Sequence, residues 1–370
     1  VAERALLLGF GADIGSNLIA RNDPDRDGFL IGDVVTHAVR PGPGVTALGQ
    51  LVARMLLADP AMLGRVEPVE GEQALLVDGR LVRVHFLDAE DPEVLELGQF
   101  GLAIVATTRA HVRDAALMGR FRKVAKHVVG VAENAELPGF YAPLAGADLS
   151  RIGRVPRPFD PEGGVYALGS CQCVGWAVPL RGLIEAAVLA GVDDLGLVRV
   201  EVEIVHPDTA SSRFGTAGVG ARAEDARDNL RPGHSQLSAS MARLAPVSSV
   251  NTVSLRVLTQ PPGYQVCRFF VRAPLDHETV RAGMLAAAAA LPGVIGTTDV
   301  AIGSRAFSLS PAAATVITTP EHLLVARDPF PGSGIVEVIT QSFVHNTTGY
   351  CGAVLDAGAR LLGRGPVTLL

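Results

Sequence analysis

The sequence predicts an α/β protein of two domains, a parallel-sheet domain followed by an α+β domain, and three observations carry that expectation. The chain has 370 residues, too many for one small domain and enough for two, each with its own core. Its first part alternates short apolar runs with helical patterns around a glycine turn, the order of βαβ units. Its later part carries longer runs of alternating polarity, which read as strands of a mixed or largely antiparallel sheet.

The opening run Ala5 to Leu8 reads as a strand, Gly9, Gly11 and Gly15 as a turn, and Asn17 to Ala20 as a helix. A second strand, Phe29 to Ile31, is expected to end in Gly32-Asp33, which places an acid where a dinucleotide site hydrogen-bonds its adenosine ribose. Gly101 to Ala106 reads as a buried parallel strand, Arg109 to Phe121 as a helix and Lys126 to Val131 as another strand. A Pro/Gly-rich stretch from Pro156 to Gly164 then leads into Val165-Tyr-Ala-Leu-Gly169-Ser-Cys171, where the domain boundary is expected. Beyond it, Leu197 to Val205, Ser249 to Leu258 and Tyr264 to Ala273 read as strands, and Leu180 to Ala190 and Glu278 to Ala290 as helices.

Composition narrows the function classes. Hydrophobic residues make up 48% and charged residues 19% of the chain, with both signs scattered, which argues for a folded protein and against a disordered or nucleic-acid-coating one. The net charge of -6 gives no polyanion-binding signature. The apolar run Ala282 to Leu291 falls short of the roughly 20 residues of a bilayer span, so no membrane helix is expected. Glu3 before Leu6-Leu7-Leu8 and the glycine turn after them are unlike a signal peptide, and the expected place is the cytoplasm. Cys171, Cys173, Cys267 and Cys351 are too few and too unevenly spread for a disulfide framework, and no paired CxxC knuckles suggest a metal. At least one thiol is therefore open to chemistry.

Cys171 is the first candidate, because it sits where a strand gives way to a long apolar stretch, Cys171 to Ala190, that reads as a helix despite Pro179. A thiol at a helix N-terminus meets the positive end of the backbone dipole and unpaired N–H groups, which favour the thiolate. The strand ending at Val205 delivers His206, a general base and imidazolium partner for that sulfur. Spacing alone leaves open that both are packed residues.

Several segments, in order and across both halves, resemble the glyceraldehyde-3-phosphate dehydrogenase family. Gly9-Phe10-Gly11 with Ile14-Gly15 resembles its opening glycine turn, Gly32-Asp33 its cofactor-selecting acid, and Leu76 to Val82, Asp88 to Pro92 and Ile104 to Ala116 the rest of its first domain, with hydroxyls at Thr107 and Thr108. Ser170-Cys171 resembles its nucleophile motif, and His206-Pro-Asp-Thr209-Ala-Ser211 its histidine motif. Asn229-Leu-Arg231-Pro-Gly-His-Ser235, Leu255-Arg256-Val257 and Ser342-Phe-Val-His-Asn346-Thr-Thr-Gly349-Tyr350 resemble the next loop, the arginine strand and the closing motif.

The resemblance implies a Rossmann-type domain of residues 1–170 and 346–370 with a catalytic domain of residues 171–345. It implies NAD, with NADP disfavoured by Asp33, held by Gly9, Phe10, Gly11, Ile14, Gly15, Asp33, Thr107, Thr108, Asn346 and Tyr350. It also implies an aldehyde substrate whose phosphate or other anion is held by Ser170, Thr209, Ser211, Ser235 and Arg256, with Arg231 either joining them or simply solvated. Cys171 and His206 are then the catalytic pair, a thioester is the intermediate, and the assembly is a homo-oligomer, a tetramer in most of the family.

Departures from the pattern point away from the glycolytic enzyme. Gln172, Cys173 and Val174 stand where the family has two threonines and an asparagine, His345 replaces an acid, and Arg109 replaces a glycine. The glycine turn is longer by one residue, and Asp13 reads either as a helix cap or as a like charge beside a pyrophosphate. Cys173 reads as a packed thiol and His234 as a solvated loop residue. Two further functions stay open: an acyl-thioester transferase using Cys171 and His206 without hydride transfer, and a non-catalytic homologue.

Overall fold

The computed structural model describes residues 2–11, 14–37, 44–207, 231–232, 237–244, 250–257, 262–300, 303–308, 313–318 and 322–370. It is a mixed α/β structure with one parallel-rich sheet and one mixed sheet. Unit 1 comprises Val1–Gly139, Phe159–Leu168 and Val354–Val367, and unit 2 comprises Phe140–Pro158, Gly169–Ala353 and Thr368–Leu370.

In unit 1 the strands are β1 (Glu3–Leu8), β2 (Phe29–Val35), β3 (Val66–Val69), β4 (Ala74–Val77), β5 (Arg80–His85), β6 (Phe100–Val105), β7 (Ala125–Gly130) and β8 (Gly164–Ala167). Their order is β3-β4-β5-β2-β1-β6-β7-β8, parallel from β5 to β8, with β3 and β4 antiparallel at one edge. The apolar run expected for β1 is explained by its central place, since Ala5 to Leu8 are fully buried between β2 and β6. The chain order reverses at β1, so the turn after it faces the crevice where open α/β sheets take ligands. Gly9 is needed in that turn: its φ is +99°, and a Cβ would lie 2.8 Å from the Ala106 carbonyl.

The expected single helix from Arg109 to Phe121 is two short ones, Arg109–Arg113 and Ala115–Arg120. Asp114 makes the break, because its backbone is extended and its carboxylate accepts from the N–H groups of Ala116 and Leu117, capping the second helix.

Within unit 1, His127 on β7 stacks on Phe159 and Tyr166, with ring centroids 5.7 and 6.1 Å away. Burial, helped by Lys126 and Arg122 and opposed by Asp160, pushes its imidazole down to about 4. The unfolded ring titrates near ~6.5, so below that pH the unfolded chain binds a proton that the folded chain refuses. This stabilisation is complete above about 6.5 and is lost as the pH falls to 4. His127→Phe is therefore expected to shrink the drop in melting midpoint between pH 7 and pH 5, read by melts at both values.

Unit 2 is built on β9 (Leu197–Pro207), β10 (Arg231–Pro232), β11 (Val250–Val257), β12 (Gly263–Val271), β13 (Ile295–Thr298), β14 (Thr315–Thr318), β15 (Leu324–Arg327) and β16 (Val336–Val344). The order is β10-β11-β9-β12-β16-β14-β13, with β15 also on β16. β9 and β11 run parallel, while β12 is antiparallel to both β9 and β16.

The helix Cys171–Ala190 packs on this sheet and on the helix His277–Ala290. Among the described residues it, and not the alanine-rich run, is long and apolar enough to cross a bilayer, yet 78% of its most apolar stretch is buried inside the protein. So apolar a helix needs cover, and the unit supplies most of it between Gln172 and Ala187, leaving Val188 and Leu189 exposed in the last turn. Arg181 and Glu185 are the charged residues on that helix; Arg181, 5% exposed, donates to the Ala145 carbonyl at 2.7 Å and the Pro143 carbonyl at 3.3 Å and pairs with Glu185 at 2.6 Å. Those bonds help tie Phe140–Pro158 into unit 2, although the sequence assigned that stretch to the first domain. Arg181→Ala, which strands two buried carbonyls, is expected to cost about 3 kcal/mol of stability in a denaturant titration.

Candidate active site

The nucleophile candidate opens the helix Cys171–Ala190, with Ser170 as its extended N-cap residue. The turn before it is held from two sides. Gly169 has φ +71°, and a Cβ there would lie 2.7 Å from the Cys173 Cβ and 2.9 Å from the Tyr141 ring, so the turn demands glycine. Its carbonyl accepts a 2.6 Å hydrogen bond from the buried Tyr350 hydroxyl. Tyr350, expected at a cofactor, thus fixes the loop that presents the sulfur. The Ser170 hydroxyl, expected on phosphate, lies 3.4 Å from the Cys173 sulfur, to which Ser240 also donates at 3.0 Å. Cys173 is fully buried.

β9 carries its register through to His206, and Cys171 Sγ lies 4.0 Å from His206 Nε2, the outer limit of a sulfur hydrogen bond. On the other side of the ring, Nδ1 is 2.6 Å from the Pro207 carbonyl. A carbonyl can only accept, so Nδ1 carries a proton, and whenever the ring is neutral its Nε2 lone pair faces the sulfur. The half-buried thiol also sits at the positive end of the helix, which favours charge on sulfur. A thiol to be activated and a base in the correct tautomer are together.

A narrow recess joins Cys171 and His206 to Asn346, Gln172, Tyr264 and Gln265. Asn346 Oδ1 is buried without a hydrogen-bond partner among the described residues. Its neighbour His345, buried, receives the Gly349 N–H on Nδ1 at 3.3 Å and so caps the helix Thr348–Ala359 in place of an acid. Arg256 pairs in register with His206 across β11 and β9, and Arg231 pairs with Arg256 across β10 and β11, so the backbone sets both arginines in one row with the histidine. Thr209, Ser211, Ser235, Asp13 and His234 lie outside the described residues.

In unit 1 the expected cofactor residues divide. Gly9 and Gly11 form the turn after β1, Phe10 is fully buried as core, and Ile14 leads into the helix Gly15–Arg21. A Cβ on Gly15 would lie 2.0 Å from the Gly9 carbonyl oxygen, so the turn and the helix close on each other only through glycine. Thr108 caps the short helix after β6 by accepting the His111 N–H at 3.3 Å, and the Thr107 hydroxyl lies 3.0 Å from His111 Nδ1.

Asp33 departs from expectation. β2 does not stop at Gly32-Asp33 but continues through Val34 and Val35, and it is Val35 that pairs with Leu8 at the end of β1. Asp33 therefore sits two residues, roughly 6–7 Å, below the sheet edge where a ribose would lie. It is 3% exposed, and its oxygens meet Arg4 at 2.7 Å and His85 at 3.0 Å. Burial alone would raise its carboxyl, but the hydrogen bonds from His85 and Arg4 outweigh that and hold it below the ordinary range. Its geometry is that of a structural counter-ion, and the expected discrimination against NADP loses its residue.

Sequence reading missed Gln265. Its signal was a polar residue at an inward parity of β12, where alternation calls for an apolar one. No protein-family model matches the chain, and no curated protein matches it either.

Proposed function

We propose that the chain is a cysteine-dependent oxidoreductase of the glyceraldehyde-3-phosphate dehydrogenase type, with a Rossmann-type first domain, acting with NAD on a phosphorylated or otherwise anionic aldehyde. One observation carries the reading: the Cys171 sulfur lies 4.0 Å from His206 Nε2 at the mouth of a 20-residue helix.

The residues fit the cofactor in part. The Gly9 turn at the reversal of strand order suits the close approach of a pyrophosphate, and the unpartnered Asn346 Oδ1 suits a carboxamide, whereas Asp33 is not placed for the ribose. Bound NAD would supply the hydride acceptor. The chain's own part begins with the Cys171 sulfur forming a C–S bond to the aldehyde carbon while the carbonyl π pair moves to oxygen. The oxygen gains the thiol's proton, relayed by His206, to become a hydroxyl. His206 Nε2 then removes that proton as the carbonyl re-forms and the carbon's hydrogen departs with its electron pair for the hydride acceptor, so that a thioester remains. Attack by phosphate, water or another nucleophile then breaks the C–S bond and returns the thiolate. Arg231 and Arg256, in row with His206, are the residues to hold a substrate anion.

The test is absorbance at the NADH band with NAD and a panel of phosphorylated aldehydes, using Cys171→Ser as control. No signal with any aldehyde, together with no NAD binding, would refute the reading. The position of Asp33 and the capping role of Thr108 favour a second one, acyl transfer through Cys171 without hydride. It predicts a mass adduct on Cys171 after exposure to acyl thioesters alone. A homotetramer is part of the first reading, checked by light scattering.

A further inference from the structure

Gln265 is a buried carboxamide without a bonding partner among the described residues. It lies on β12, in register with Ile204 of β9 and Ser342 of β16, and is 1% exposed. Among the described residues neither its Oε1 nor its Nε2 has a hydrogen-bond partner. An amide left so in the interior suffers its whole desolvation penalty, and a native structure holds such a group where it serves a purpose.

Two further observations say what purpose. The side chain borders the recess that holds Cys171, His206 and Asn346. The helix above it also makes room, since a Cβ on Gly175 would lie 2.1 Å from Gln265 Oε1 and 2.7 Å from Val344 Cγ2. Only glycine lets the amide stay where it is. The described lining contains no Asp, Glu, Lys or Arg. A neutral amide with a free donor and a free acceptor matches a group that has both, and it rejects a hydrocarbon that would leave both unmet.

We propose that Gln265 is a substrate-binding residue that takes a neutral hydrogen-bonding group, a carboxamide or a hydroxyl, close to the carbon that meets Cys171. This rests on Cys171 being the reactive thiol of the proposed function, but not on hydride transfer. The anion grip of the arginines concerns another part of the same molecule.

Two alkylating probes read the preference on the full chain. Iodoacetamide and iodomethane each form a C–S bond and expel iodide, but only the first carries a carboxamide beside the reacting carbon. Rates at Cys171 are followed by mass spectrometry for the wild type, Gln265→Leu and Gly175→Ala. Both variants are expected to lower the iodoacetamide-to-iodomethane rate ratio by about 10-fold or more. Gln265→Leu, which removes two orphaned atoms, is also expected to raise the melting midpoint by roughly 2–4 °C. An unchanged ratio in both variants overturns the proposal, as does an equal slowing of the two reagents. If the leucine variant does not fold, Gly175→Ala carries the ratio. Loss of NAD reduction with every aldehyde would leave the ratio intact, so the two readings fail separately.

Discussion

Cys171→Ser is expected to lower aldehyde-dependent NADH formation by about 10^4-fold or more, because a hydroxyl at this position has no accessible anion to attack with. The same substitution is expected to remove the one thiol that iodoacetamide reaches in the native protein. Cys173, Cys267 and Cys351 are fully buried, and burial holds the Cys267 thiol far above its ordinary range. Native-state labelling should therefore give one adduct per chain in the wild type and none in the variant, with all remaining thiols appearing only in denaturant. Labelling of Cys267 in the native state would contradict the packing described for β12.

His206→Asn is expected to lower kcat/KM by roughly 10^2–10^4-fold while leaving the melting midpoint nearly unchanged, since the ring is only partly buried. The wild-type rate should fall on acidification, because a protonated Nε2 cannot accept from sulfur or from the hydroxyl on the bound carbon. The variant should lose that acid limb and should label with iodoacetamide more slowly. A variant that keeps the acid limb would place the base elsewhere.

How much of this was legible in the sequence follows from the range of the forces involved. The helix at Cys171, the strand delivering His206 and the parity of β12 are local patterns, written in neighbouring side chains. The end of β2 was not legible, because Asp33 looks like a turn residue until its carboxylate is seen between Arg4 and His85, which come from other strands. The break at Asp114 is a cap whose competition with a continuous helix is decided by tertiary packing. Tyr350 on the Gly169 carbonyl joins residues far apart in the chain, and no spacing announces it. Gln265 was passed over, because a polar residue at one inward position means little until Gly175 above it and the recess beside it are seen.

β9, β12 and β16 lie side by side in the second sheet yet are drawn from widely separated stretches of chain. The groups that meet at the sulfur come from the helix of residue 171, from those strands and from residue 346, so almost half the polypeptide intervenes between first and last. Closing such distant loops is slow relative to forming local helix. On refolding from denaturant, far-ultraviolet ellipticity should return first, and rapid alkylation of the Cys171 thiol should return in a later kinetic phase.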